Sequence, residues 1–271
     1  MVTAGKMHLN RWLTGIIAVP VLVFLIGFGP RWLFYILLCA AALVSLWEYF
    51  RITDPGLSPF IKWINSALVL VLFVAVYMRQ ALLLPGIMVL WAFFPMALEV
   101  FTFSAEKGKG TAMSSRTALL GPVYTALPLA LLLFIDMRPQ GHLWIFFLLT
   151  VVFSCDTGAF YFGRSFGRHK LHKRVSPGKT WEGAAGGLLS SLLAAMLFLK
   201  FIDIHPFNVS LVLLVITISI ASQIGDLAES VLKRNQGVKD SGNILPGHGG
   251  ILDRIDGLLF AIPVLFFYLN V

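Results

Sequence analysis

Five carboxylates sit where an apolar chain has little use for them. Asp156 lies in SCDTGAFYFGRSFG (154–167), Asp226 and Glu229 in GDLAESVLKR (225–234), and Asp253 and Asp256 in HGGILDRIDG (248–257). Each stretch adjoins or enters an apolar run long enough to cross a bilayer. Asp226 and Glu229 are three residues apart and Ser230 is four beyond Asp226, so on a helix all three share a face. Asp253 and Asp256 repeat the i, i+3 relation. A carboxylate inside the hydrocarbon costs at least about 2.5 kcal/mol on insertion scales, so such a group faces a cavity, a partner or a cation. Each also has a plainer role: an internal ion pair for Asp156, a surface-facing pair for Asp226 and Glu229, and first-turn helix charge for Asp253 and Asp256.

Taken together, the five acids come from three helices at similar depth, on one side, with Lys179, Lys233, Arg234, Lys239 and Arg254 around them. Hard oxygen ligands with little histidine and no cysteine pair select Mg2+ or a similar cation over zinc, and five exceed the needs of one ion, which leaves room for a second cation. Basic residues around a carboxylate–Mg2+ site match a polyphosphate substrate, whose chemistry is positioning and charge neutralisation. A depth just under the headgroups suits a phospholipid as the other reactant. The chemistry so read is Mg2+-dependent phosphoryl or nucleotidyl transfer onto a lipid.

Two further stretches bear on phosphate. In GRHKLHKRVSPGKTWEG (167–183), Ser176–Thr180 reads as a turn that places Lys179 and Thr180 at the mouth of the next helix, where unpaired N–H groups suit phosphate oxygens. The spacing of a Walker A loop is missing. Glu182 reads as a first-turn acid favourable to the helix dipole. Gly249 and Gly250 are expected to leave backbone N–H groups open to a ligand at the start of the last helix, with His248 beside them.

The elements that must position these groups follow from composition. Apolar residues make up 58% of the 271 residues and charged residues 13%, outside the range of a soluble domain. The expected fold class is all-α, a polytopic integral membrane protein of about nine transmembrane helices: 14–29, 32–50, 61–78, 82–103, 117–136, 142–163, 181–203, 208–232 and 251–270. Residues 104–116 read as a flexible polar connection. Glu48 and Glu99 read as acids near helix ends that snorkel to water. Gly158 and Gly163 read as points of close helix approach. Cys39 and Cys155 have no spacing for a disulfide framework or a metal site.

With the N-terminus in the cytoplasm, seventeen of the 21 lysines and arginines fall on the cytoplasmic side; the other four are Arg31, Arg79, Arg138 and Lys200. The positive-inside rule accounts for most of the net charge of +8, with attraction to anionic headgroups as a further contribution. Nucleic acid is excluded as a partner because the charges are spread over loops between spans. Residues 1–140 are expected to form N-terminal transmembrane helices and 141–271 a C-terminal catalytic region, together one continuous membrane domain.

The run Ser230-Val231-Leu232-Lys233-Arg234, then Lys239-Asp240, Gly242, Leu245-Pro246, His248-Gly249-Gly250, Asp253-Arg254 and Ile255-Asp256 resembles the signature of the phosphatidate cytidylyltransferase (CDP-diacylglycerol synthase) family, without departure from it. DTGAFYFGR, SPGKTWEG and GDLAES look like the family's other blocks. The first 140 residues resemble it only in being apolar spans. The resemblance implies the reaction of CTP with phosphatidate to give CDP-diacylglycerol and pyrophosphate, a polytopic helical fold and divalent-cation dependence. It also supplies the cytosine base, which no residue pattern indicates.

On that resemblance, Asp226, Asp253 and Asp256 are expected to hold Mg2+, with Asp156 and Glu229 as further ligands. Lys179, Lys233, Lys239 and Arg254 are expected to hold phosphates, and Thr180, Ser230, Arg234, His248, Gly249 and Gly250 to contribute to substrate binding. CTP would come from the cytosol and phosphatidate from the cytoplasmic leaflet of the cell (inner or plasma) membrane, with the active site facing the cytoplasm. A homodimer is compatible with this reading. Two rivals are a CTP-dependent polyprenol or lipid kinase and a cation-coupled transporter. The transporter requires acids near the bilayer midplane, whereas these crowd one side.

Overall fold

Helices dominate the computed structural model, which describes residues 19–80, 82–102, 108–244 and 249–270. His248, and residues 14–18 of the first expected span, lie outside these residues. In chain order the helices are α1 (19–27), α2 (Arg31–Thr53), α3 (Pro59–Tyr77), α4 (Leu83–Thr102), α5 (Gly108–Asp136), α6 (Gly141–Phe166), α7 (Trp181–Phe201), α8 (Val209–Asn235) and α9 (Leu252–Tyr268). Long apolar segments become helices because hydrocarbon offers no partner for a backbone N–H or C=O, and a helix satisfies both internally. Local signals set the starts. Pro59 stands in the first turn of α3, while Thr180 and Asn208 cap α7 and α8 with their side-chain oxygens.

Among the described helices, six are long and apolar enough to cross a membrane: α2, α3, Ser115–Asp136 of α5, α6, α7 and α8. The apolar part of α4, Leu83–Ala97, is shorter, and α9 has 17 residues. The chain is a helical protein of membrane-spanning character.

Two local expectations are corrected. Residues 176–180 are not a turn but a strand, β2 (Ser176–Thr180), paired antiparallel with β1 (Lys170–His172) so that Lys170 faces Thr180 and His172 faces Ser176. The turn falls at 173–175. Glu182 anchors this hairpin: its carboxylate accepts from the amides of Arg168 at 3.1 Å and His169 at 3.2 Å, and lies 2.6 Å from His169 Nδ1. The second correction concerns 104–116, where α5 already begins at Gly108, ahead of the expected start at 117.

The chain divides into two compact units. The first comprises residues 1–133 with 240–253, the second 134–239 with 254–271. In the first, α2 and α3 meet through Trp47 and Trp63, whose rings are 5.4 Å apart edge to face, and Trp47 Nε1 donates to Ser66 Oγ at 3.0 Å. Gly121 of α5 lies flat against Leu46, Tyr49 and Phe50 of α2, where a Cβ would come within 2.8 Å of the Phe50 ring.

In the second unit, α6 and α7 touch backbone to backbone. A Cβ on Gly183 or Gly187 would lie 2.7 Å from the carbonyl oxygens of Ala159 and Cys155, and Gly158 faces Ser190 and Gly186. Gly163 opposes Thr180 and Gly183, so both α6 glycines serve the close approach expected of them. Helix α8 joins through Ser191 and Ser219, whose hydroxyls are 2.7 Å apart, and through Gln223 Nε2, which donates to the Ala184 carbonyl at 3.2 Å. Cys155 is a buried thiol that accepts from Gln223 at 3.3 Å, and Cys39 is likewise free.

Candidate active site

Glycine contacts bring α8 and α9 together in the second unit. A Cβ on Gly225 would lie 2.5 Å from the Asp256 carbonyl oxygen, and one on Gly257 would lie 2.7 Å from Ser222 Oγ. This approach sets Asp226 and Glu229 of α8 opposite Asp256 of α9. From the hairpin, β2 delivers Lys179 to the same place, with its Nζ 2.6 Å from Asp226 Oδ2. Asp156 of α6 lies within electrostatic reach of Asp226 and Lys179. Asp256 is engaged by Glu229 and also senses Asp226 and Lys233. Its Oδ1 accepts from the Gly257 amide at 2.8 Å.

Four carboxylates, Asp156, Asp226, Glu229 and Asp256, thus gather around two ammonium groups, Lys179 and Lys233. The two lysines occupy different situations. Lys233 is 2.5 Å from Glu229 Oε2, one helical turn away, with side-chain exposures of 13% and 1%. Breaking such a buried pair leaves an uncompensated charge at a cost of about 3–5 kcal/mol. In the Lys179–Asp226 pair the two side chains are 26% and 41% exposed, but the Lys179 ammonium nitrogen itself is buried. Both ammonium groups are therefore held against a carboxylate, Lys233 by the more deeply covered pair.

The donor set suits a hard divalent cation. All four acids offer oxygen, and they exceed the local lysine charge by two. Carboxylates facing each other, as Glu229 and Asp256 do, require a shared proton or a positive charge between them. Among the described residues, no three His, Cys, Asp or Glu side chains converge into a ready cage. In this arrangement Lys179 occupies Oδ2 of Asp226.

The remaining expected residues of the second unit have other surroundings. Thr180 is buried, and its hydroxyl accepts from the Gly183 amide at 3.1 Å as the cap of α7. Ser230 is half-buried on α8. Arg234 donates to the carbonyls of Val175 at 3.4 Å and Val238 at 3.3 Å, tying the hairpin turn to the end of α8. Lys239 and Arg254 are exposed.

The start of α9 belongs to the first unit and departs from expectation in detail. Gly249 has φ +85°, the left-handed conformation that glycine adopts without strain. The amides that follow it are not open. Gly250 N–H donates to Asp253 Oδ2 at 2.8 Å, and Ser241 N–H donates to the same oxygen at 2.8 Å. Ile251 N–H at 3.2 Å and Leu252 N–H at 2.8 Å donate to Glu48 of α2, which also receives Ser241 Oγ at 3.2 Å. Glu48 does not snorkel to water; it is 4% exposed. The positive end of α9 and its unpaired N–H groups hold the carboxylate inside. Gly242 and Gly250 pack so closely on Glu48 that a Cβ on either would collide with its carboxylate. Sequence reading missed Glu48 because its partners lie about 190 to 200 positions away. The usable signal was an acid in an apolar helix with no basic neighbour before Arg51.

Comparison with known proteins identifies the family. The profile of the cytidylyltransferase family matches residues 9–271. A Bacillus subtilis protein named phosphatidate cytidylyltransferase is 35% identical, covering 96% of this chain and 97% of that protein. Proteins of the same name from Staphylococcus epidermidis and Staphylococcus saprophyticus are 44% and 51% identical over 59% and 48% of this chain. Those matches span 61% and 50% of the staphylococcal relatives' own lengths. With a profile match across nearly the whole chain and a 35% identical relative aligned end to end, the chain belongs to the cytidylyltransferase family.

Proposed function

We propose that the chain is a phosphatidate cytidylyltransferase, joining CTP and phosphatidate to give CDP-diacylglycerol and pyrophosphate. The observation that carries the reading is the gathering of Asp156, Asp226, Glu229 and Asp256 around Lys179 and Lys233, in a chain whose near-full-length relative bears that name.

A phosphate oxygen of phosphatidate attacks the α-phosphorus of CTP, a new P–O bond forms, and the bond to the β-phosphate oxygen breaks to release pyrophosphate. The nucleophile is already anionic near neutral pH, so no general base is required. Repulsion between two anions is the obstacle, and local positive charge relieves it. Asp226 and Asp256, with Asp156 and Glu229 as further ligands, would hold Mg2+, and the donor set has capacity for a second cation. Asp253, expected from its spacing to hold the cation as well, instead accepts from the Ser241 and Gly250 amides. When bound, the cation neutralises the phosphates and the departing pyrophosphate.

Lys179, beside Asp226, turns to a phosphate oxygen when substrate arrives, while Lys233 stays with Glu229. Thr180, Ser230, Arg234, Lys239 and Arg254 are assigned to the substrate side of the site. We assign nine spans, a cytoplasmic N-terminus and a cytoplasm-facing site from the distribution of lysines and arginines, which six long apolar helices support. Product analysis tests the reaction: pyrophosphate and a CDP-lipid are expected, whereas CDP with a phosphorylated lipid would identify a kinase.

A further inference from the structure

The first unit carries a groove of its own. A cavity of about 390 Å3 is lined by Leu43, Val44, Trp47, Glu48 and Arg51 of α2, Lys62 of α3 and Ile244. Its apolar wall ends at two cations. Arg51 is in the last turn of α2 and Lys62 in the first turn of α3, so the short 54–58 connection places both at one end of the helix pair. Among the described residues, the salt bridges are His169–Glu182, Lys179–Asp226 and Lys233–Glu229, and neither cation takes part in one. Arg51 donates to the Ser241 carbonyl, which leaves most of its five N–H groups for another acceptor.

Beside the cations stand Trp47 and Trp63, paired edge to face and 39% and 65% exposed. Tryptophans with lysine or arginine at one end of apolar helices mark headgroup depth. An apolar trough, interfacial indoles and two cations outside any salt bridge, facing the single carboxylate of Glu48, complement one class of molecule: an amphiphile with an anionic phosphate head and an acyl chain.

We propose that this groove seats an acidic glycerophospholipid, its phosphate between Arg51 and Lys62 and an acyl chain along Leu43, Val44 and Ile244. Glu48 forms part of the lining while its carboxylate holds the first amides of α9, so the occupied groove buttresses the start of that helix.

The test uses the full chain in phosphatidylcholine nanodiscs doped with a photoactivatable phosphatidate, and labelled peptides are mapped by mass spectrometry. It requires no turnover, so it stands or falls apart from the proposed reaction. Labelling is expected on peptides spanning residues 43–62 and should fall about fivefold in Lys62→Gln, the loss expected of one basic residue near a membrane surface. Val44→Trp, which fills the trough, should remove the labelling even if the charge variant folds poorly. Undiminished labelling in a Lys62→Gln protein of wild-type thermal stability would overturn the proposal. So would equal labelling by a photoactivatable phosphatidylcholine, or suppression by inorganic phosphate as strong as by unlabelled phosphatidate.

Discussion

Replacing Glu48 with Gln keeps the shape of the side chain and removes what the start of α9 depends on. The carboxylate is 4% exposed and accepts from Ile251 N–H, Leu252 N–H and Ser241 Oγ at 2.8–3.2 Å. In Gln, one acceptor oxygen becomes an NH2 group pointed at donors, so at least one buried amide loses its partner. A buried donor left unsatisfied costs about 1–3 kcal/mol. Loss of the negative charge at a helix N-terminus adds about 0.3–1 kcal/mol. A total near 2 kcal/mol makes local opening about thirtyfold more frequent, since 1.4 kcal/mol is tenfold. Hydrogen exchange read by mass spectrometry on peptides covering 249–256 should accelerate by that factor, with peptides from α6 as the unperturbed reference. Unchanged exchange at 249–256 in folded Glu48→Gln protein would refute the reasoning, because those amides would then owe their protection to something else.

Three further outcomes are expected. Thr180→Ala removes the cap of α7 at a cost of about 1 kcal/mol, lowering the thermal midpoint in detergent by a few degrees, whereas Thr180→Ser retains it. Gly187→Leu drives a side chain into the Cys155 carbonyl and should destabilise by about 1–3 kcal/mol or more, seen as a lower midpoint or poor recovery; wild-type behaviour would contradict the close α6–α7 contact. Lys179→Met should weaken CTP binding to the folded protein by tenfold or more, read by titration of CTP against the purified chain. A large drop in midpoint instead would make that pair structural.

The long apolar runs announced most of the helices. Expected spans 61–78 and 208–232 correspond to Pro59–Tyr77 and Val209–Asn235 because hydrocarbon leaves a long apolar segment no other conformation. The hairpin was not legible. Its second strand, Ser-Pro-Gly-Lys-Thr, carries the residues of a turn and has no alternation of apolar and polar positions, so only its pairing with Lys170–His172 defines it. The meeting of Asp226, Glu229 and Asp256 could be anticipated from their common depth and i, i+3 spacing. Which acid each lysine would pair with, and how deeply each pair is covered, could not, since that depends on the packing of separate elements. Glu48 and the amides of 250–252 were misjudged for one reason: each end of that contact, read alone, looked like an ordinary helix terminus.

The central claim is that the carboxylates around Lys179 and Lys233 hold the cation for cytidylyl transfer. Pyrophosphate release from CTP and phosphatidate by the purified chain, in Mg2+ and in EDTA, tests it most directly when wild type is compared with Asp226→Asn and Asp256→Asn. The account predicts release in Mg2+ for the wild type only, abolished by EDTA and restored by excess Mg2+. Wild-type turnover in either folded variant, or turnover that persists in EDTA, would contradict it.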